Sequence, residues 1–115
     1  MTFDLPDSLW IEISKDLEKL GGAFVLRGLP KNSFSALATK IKDLNSKGVK
    51  ARIILDPLAF KRFKIETVPC FIVEEDTFFD KISGNITFFW ALEKMALNGE
   101  TAVSGRLFKK LKEKN

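Results

Sequence analysis

The sequence predicts an α/β fold whose sheet is mixed, with a parallel core, an antiparallel hairpin and helices on both faces. Three observations carry this. Ala23–Leu26 and Ala51–Leu55 are short continuous apolar runs bounded by turn residues, the pattern of strands covered on both sides. The segments around them repeat apolar residues at helical spacing, and strands that alternate with helices pair in parallel. Two further strands, Cys70–Glu74 and Phe78–Ile82, are joined by the acidic turn Glu75-Asp76, which is too short for a crossover and makes the pair antiparallel.

In chain order, Met1–Phe3 reads as the end of a leading edge strand that is truncated where the chain begins. Asp4 is the expected N-cap of the first helix, with Pro6 in its first turn and Asp7 near the positive end of its dipole. Leu9, Ile13, Leu17 and Leu20, with Trp10 alongside, form one apolar face, and Gly21-Gly22 ends the helix. After the strand Ala23–Leu26, the segment Arg27-Gly28-Leu29-Pro30-Lys31-Asn32 is a turn, and Asn32 or Ser33 caps a helix whose apolar side is Phe34, Leu37, Ala38, Ile41 and Leu44. That helix ends at Lys47-Gly48. Asp56-Pro57 closes the next strand, and a short helix over 58–63 follows.

Pro69 stands directly before the apolar run that opens at Cys70. Proline has no N–H for a ladder, so it belongs at the entry to a strand, not within one. An X-Pro bond in such a place is where a cis peptide costs least, and Val68–Pro69 is expected to be cis. Gly84-Asn85 breaks the hairpin. Thr87–Leu97 is a helix with Phe88, Ala91, Leu92 and Met95 inward, and a last helix from about Ala102 to Lys114 places Val103, Leu107, Phe108 and Leu111 on one side. Residues 1–99 form the expected domain, with 100–115 a basic C-terminal helix or tail.

Composition narrows the chemistry. A chain of 115 residues, 45% hydrophobic and 30% charged, suits one globular domain. It has no apolar run of the roughly 20 residues that cross a bilayer and no basic-then-apolar leader. Cys70 is the only cysteine and histidine is absent, which excludes an intrachain disulfide, a multi-cysteine zinc site and the commonest general base. No metal or other cofactor is expected. The net charge of +4 is concentrated in the last ten residues, Arg106, Lys109, Lys110, Lys112 and Lys114 against Glu113. A nucleic-acid binder spreads its basic face over the fold, so a solvated helix end is the simpler reading of that tail.

The order α-β-α-β-(α)-β-β-α-(α), with Val-Pro at the entry to the hairpin, is the thioredoxin-like arrangement. There a cis-proline faces the start of a helix, and the facing segment here is Gly28-Leu29-Pro30-Lys31. Redox members carry Cys-x-x-Cys at this point. Gly28 and Lys31 have no sulfur, so paired thiol–disulfide exchange has nothing to work with. Cys70 beside Pro69 reads as a small buried hydrophobe, or as a single thiol acting with a partner's cysteine.

Val25-Leu26-Arg27-Gly28-Leu29-Pro30, Asn32-Ser33-Phe34, Ile54-Leu55-Asp56-Pro57-Leu58, Phe60, Arg62-Phe63, Val68-Pro69 and Ser83-Gly84-Asn85-Ile86 together resemble the TrbC-type pilin assembly proteins of F-type conjugative transfer systems. The resemblance runs from about Phe3 to Leu97. It implies a periplasmic, thioredoxin-like, non-redox component of a type IV secretion apparatus that assembles pili with a TraW-type or pilin-related protein partner. Cys70 departs from it, since a small polar or apolar residue is more usual after the proline.

Physical roles follow from position. Gly28 is expected to permit a sharp exit from its strand, and Leu29-Pro30 to present an apolar knob. Arg27 and Asp56 end neighbouring strands and are expected to form a structural pair, with a ligand carboxylate as the alternative target of Arg27. The backbone of Thr67 and Val68 is placed to meet an extended peptide. The partner-binding candidates are therefore Arg27, Gly28, Leu29, Pro30, Thr67, Val68, Pro69 and Cys70, with no catalytic residue. Three function classes compete: a non-catalytic assembly factor, a single-cysteine thiol–disulfide oxidoreductase or redox-linked chaperone using Cys70, and a nucleic-acid module using the basic tail. The first is favoured, without nucleic acid, membrane span or a defined oligomeric state.

Overall fold

The structure is a computed structural model describing residues 1–84, 86–99 and 101–113. Asn85 and Lys114, which entered the sequence reading, lie outside the described residues. The elements are α1 (Asp7–Leu20), β1 (Ala23–Leu26), a 3₁₀ turn (Pro30–Asn32), α2 (Phe34–Ser46), β2 (Arg52–Leu55), α3 (Pro57–Arg62), β3 (Cys70–Glu75), β4 (Phe78–Ser83), α4 (Phe88–Asn98) and α5 (Ala102–Lys112). The chain divides into two compact units, Met1–Glu66 and Thr67–Asn115.

In the first unit β1 and β2 pair in parallel, with Ala23 aligned to Arg52 and Leu26 to Leu55. Trp10 of α1 is fully buried, stacks on Phe3 at a centroid distance of 5.2 Å and packs at a tilt against Phe24 at 4.5 Å, while its indole N–H donates to the Thr2 carbonyl. Ile13, Leu17, Phe24, Leu26, Leu44, Val49, Phe60 and Phe63 are also buried. Gly21 closes α1 with a left-handed φ of 75°, a conformation glycine adopts at no steric cost. Ser33 Oγ caps α2 by accepting the Ala36 N–H at 3.1 Å.

Three expectations for this unit are corrected. Residues 1–3 form no strand: a turn closes with Leu5 N–H on the Thr2 carbonyl, Phe3 turns to stack on Trp10, and the α-amino group donates to the Val25 carbonyl at 2.8 Å. Asp4 does not cap α1, which begins at Asp7 after Pro6 without a side-chain cap; Asp4 is taken up by Thr2 instead. The apolar side of α2 is not a buried face, since only Leu44 is buried, Phe34 is 72% exposed and Ala38 is exposed. Helical spacing fixes which residues share a face, not what lies over it.

In the second unit β3 and β4 form an antiparallel hairpin, Cys70 aligned with Ser83 and Glu75 with Phe78. Phe88, Ala91, Leu92 and Met95 are the buried face of α4, as its periodicity predicts, and Phe71 packs on Phe88 at 5.2 Å. Thr87 and Thr101 cap α4 and α5 through their hydroxyls. The two strand pairs are separate two-stranded sheets among the described residues, not the single mixed sheet expected. Alternation with helices fixes strand direction, and hairpin length fixes the antiparallel pair. Neither fixes which pairs share a hydrogen-bonded edge.

Candidate functional site

The candidate residues fall into two groups, one in each unit. Arg27 and Gly28 leave β1 exposed, and Leu29 and Pro30 are half-buried at the start of the 3₁₀ turn. The exit from β1 expected to depend on Gly28 does not use glycine's conformational freedom. Its φ lies outside the left-handed region, and a Cβ built there would meet no atom within 4 Å, so a larger side chain fits. The left-handed residues of this turn are Lys31 and Asn32, at φ of 53° and 52°. Asparagine and other residues with short polar side chains tolerate that region, and here the turn closes through Asn32 N–H on Leu29 and Ser33 N–H on Pro30.

The expected Arg27–Asp56 pair is not formed among the described residues. Asp56 Oδ1 accepts the Ala59 N–H at 3.2 Å and so caps α3, while Arg27 stays in solvent. Holding an exposed guanidinium against a strand-end carboxylate costs side-chain entropy and hydration for little gain, so nothing draws Arg27 to Asp56. The Asp56 N–H also donates to the Leu26 carbonyl at 3.0 Å, extending the β1–β2 ladder by one residue.

In the second unit Thr67 is exposed, Val68 half-buried and Pro69 buried, and the Val68–Pro69 peptide bond is cis. The Pro69 carbonyl accepts the Gly84 N–H at 3.0 Å, which closes the open end of the hairpin. Cys70 is a free thiol of intermediate exposure, so it is not the fully buried hydrophobe that its place in a core strand suggests.

Two polar centres went unrecognised in the sequence. Asp80 of β4 is 5% exposed, and its Oδ2 accepts the Thr101 N–H at 3.3 Å, the Thr101 hydroxyl at 2.7 Å and the Ser104 hydroxyl at 2.6 Å. A negative charge there also meets the positive end of α5. A Cβ on Gly99 would collide with the Asp80 carboxyl group and the Met95 carbonyl, so only glycine fits at that point. In the first unit Ser14 is fully buried, and its Oγ accepts the N–H groups of Lys50 and Ala51, each at 3.1 Å. The spacing Thr101-x-x-Ser104 signals a helix cap in the sequence, but nothing local names the carboxylate 21 residues away. Ser14 sits one position beyond the apolar stripe of α1 and carries no signal of its own.

Electrostatics elsewhere are modest. Burial pushes the Asp16 carboxyl up from 3.8, with Lys19 opposing, Glu12 adding to the rise and Lys15 opposing. Hydrogen bonds to Asp7 at 2.6 Å and Asp43 at 3.1 Å raise Lys47 above its ordinary 10.5 and tie the end of α2 to the start of α1. Among the described residues no cluster of three or more His, Cys, Asp or Glu could hold a metal ion, and no helix is long and apolar enough to cross a membrane.

What the two units present is an α/β protein with one free thiol of intermediate exposure. Residues 1–109 match the model of the type-F conjugative transfer system pilin assembly proteins, and the chain belongs to that family. It is 28% identical over 100 residues to the periplasmic protein TrbC of Escherichia coli (strain K12), an alignment covering 87% of this chain and 47% of that protein. The chain thus spans about half the length of its curated relative. No solved structure matches it.

Proposed function

We propose that the chain is a non-catalytic pilus assembly component of a conjugative type IV secretion system, acting in the periplasm through protein–protein contacts. The observation that carries this is the family match over residues 1–109, which joins a site without paired thiols. The periplasmic location comes from the printed name of its Escherichia coli relative. We read the fold as thioredoxin-like, its support being the parallel pair β1–β2, the antiparallel pair β3–β4 and the cis bond before β3.

The contact residues proposed in the first unit are Arg27, Gly28, Leu29 and Pro30, with an exposed guanidinium beside an apolar turn. Those in the second are Thr67, Val68, Pro69 and Cys70, the segment that runs from exposed Thr67 into β3. A TraW-type or pilin-related protein is the proposed partner. Affinity purification of the chain from envelopes of cells with an assembled apparatus tests this. Recovery of an apparatus protein, weakened by Arg27→Glu or Leu29→Asp, is the expected result; unchanged recovery with both variants would contradict the assignment of the turn.

A second reading draws on the intermediate exposure of Cys70. Its thiolate could attack a partner's disulfide, forming a mixed disulfide and releasing the partner's other sulfur as a thiolate. Trapping such an adduct from the envelope with wild-type chain, and losing it with Cys70→Ser, would favour that reading.

A further inference from the structure

Among the described residues β2 has a hydrogen-bonded neighbour strand on one side only, β1. The ladder itself says which of its groups are left. Asp56 N–H reaches the Leu26 carbonyl, and Leu26 is aligned with Leu55. In a parallel ladder of that register, residues 52, 54 and 56 turn their backbone groups toward β1, while 53 and 55 turn theirs away. One residue pair back, the outer edge is already occupied, because Ala51 N–H is held by Ser14 Oγ. Ile53 and Leu55 are therefore the positions at which this edge is open. Arg52 is exposed, Ile54 is 40% exposed and Leu55 38%, and neither proline nor glycine interrupts 50–56. An edge of this kind is a template for a further strand.

We propose that β2 pairs antiparallel with β2 of a second copy of the chain, with Ile54 on the two-fold axis. Ile53 then opposes Leu55 of the second copy, and each exchanges both its N–H and its C=O with that partner, in both directions across the axis. The neighbouring registers do worse. Centring on Ile53 sets Leu55 against Ala51, whose N–H is spent on Ser14. Centring on Leu55 sets Ile53 against Pro57, which has no N–H.

Side chains select the same register. Arg52 comes opposite Asp56 of the second copy, and Asp56 opposite its Arg52, so an ion pair stands on either side of the Ile54–Ile54 contact on one face. Capping of α3 uses Asp56 Oδ1 and leaves Oδ2 for the guanidinium. The opposite face pairs Ile53 with Leu55 twice. The surface is self-complementary in backbone, charge and apolar content, which a two-fold interface requires.

Single cysteines placed at 53, 54 and 55 in a Cys70→Ser background test the register under mild oxidation, beside sedimentation of the unsubstituted chain and of Arg52→Glu. Only position 54 meets itself across the axis, in a non-hydrogen-bonded pair with Cα atoms about 4.5 Å apart, within disulfide reach. Ile54→Cys should give a disulfide-linked dimer, while Ile53→Cys and Leu55→Cys should not. The unsubstituted chain should sediment as a concentration-dependent dimer. Arg52→Glu, which sets like charges opposite each other on both sides, should raise the dissociation constant by about tenfold or more while leaving the circular dichroism unchanged. A chain that sediments as a monomer overturns the proposal. So does preferential cross-linking at 53 or 55, or a dimer indifferent to Arg52→Glu.

Discussion

In residues 67–115 a carboxylate is buried and surrounded: Asp80 takes a backbone N–H and two hydroxyls from the first turn of α5, and Gly99 leaves room for it. In residues 1–66 the corresponding buried polar group is a single hydroxyl, Ser14 Oγ, which accepts two N–H groups at the entry to β2 and donates to Glu18 of its own helix. Large apolar side chains stand in solvent in both units, Phe34 and Leu58 in the first and Phe78, Trp90 and Leu97 in the second. One unit spends its polar groups on fastening a helix to a hairpin. The other uses its buried hydroxyl at the entry to β2, whose ladder partner among the described residues is β1. Within one small chain, then, the units differ in how their buried polar groups are used, not in whether apolar side chains reach solvent.

Asp80→Ala should produce the largest loss. It strands the Thr101 N–H and one of the two hydroxyls, the other being able to donate to its neighbour 3.0 Å away, and we expect about 2–4 kcal/mol of destabilisation in urea unfolding. A loss below about 1 kcal/mol would mean that α5 is not fastened by this carboxylate. Gly99→Ala should follow at about 1–3 kcal/mol, because the added methyl enters space held by the Asp80 carboxyl group and the Met95 carbonyl. Gly28→Ala is its counterpart in the first unit, and thermal melting should place it within about 0.5 kcal/mol of the unsubstituted chain. Equal effects at the two glycines would erase the contrast between the units.

Ser14→Ala comes next. It deprives the N–H groups of Lys50 and Ala51 of their acceptor at a buried position, at about 1–2 kcal/mol, and hydrogen exchange at those two amides should accelerate. Asp16→Asn should be the mildest. Burial raises the carboxyl in the folded state above its unfolded value of 3.8. The favourable contribution is therefore fully present below 3.8 and is lost as pH rises through the folded value. At neutral pH the ionised form is a small burden, reduced by solvent because the group is only partly buried. Asn should remove it, so Asp16→Asn melts slightly higher at pH 7, while the two chains converge in acid. A variant that melts lower at pH 7 would show that Asp16 makes a favourable contact as an anion.

How much of this was legible in the sequence depended on how local the cause was. The buried face of α4 follows from the spacing of Phe88, Ala91, Leu92 and Met95, and the hairpin from the short turn at Glu75-Asp76. Ser33 as a cap needed only its own helix. Features that join distant residues were not legible. Asp80 sits between Phe79 and Lys81 like any surface position of a strand, and only the packing of α5 makes it interior. The pairing of Arg27 with Asp56 was a reasonable guess from strand ends, but the nearest donor to Asp56 was the amide three residues on. A single mixed sheet was expected because direction and order could be read, whereas the hydrogen-bonded edges form two separate pairs.

The candidate site divides in the same way. That positions 28 and 31 lack sulfur was plain from residue identity, and the family match over residues 1–109 agrees with the resemblance seen along the chain. The accessibility of Cys70 was not plain, because a residue opening an apolar strand can face either side of it. Assembly by contact and assembly by thiol exchange differ at this one atom. The most direct measurement is conjugative transfer by cells whose only copy of the chain carries Cys70→Ser. Contact-based assembly predicts transfer and piliation equal to those of the unsubstituted chain, with loss reserved for surface variants such as Leu29→Asp. Transfer that collapses on removal of the sulfur, from a protein that still folds and accumulates, would contradict it.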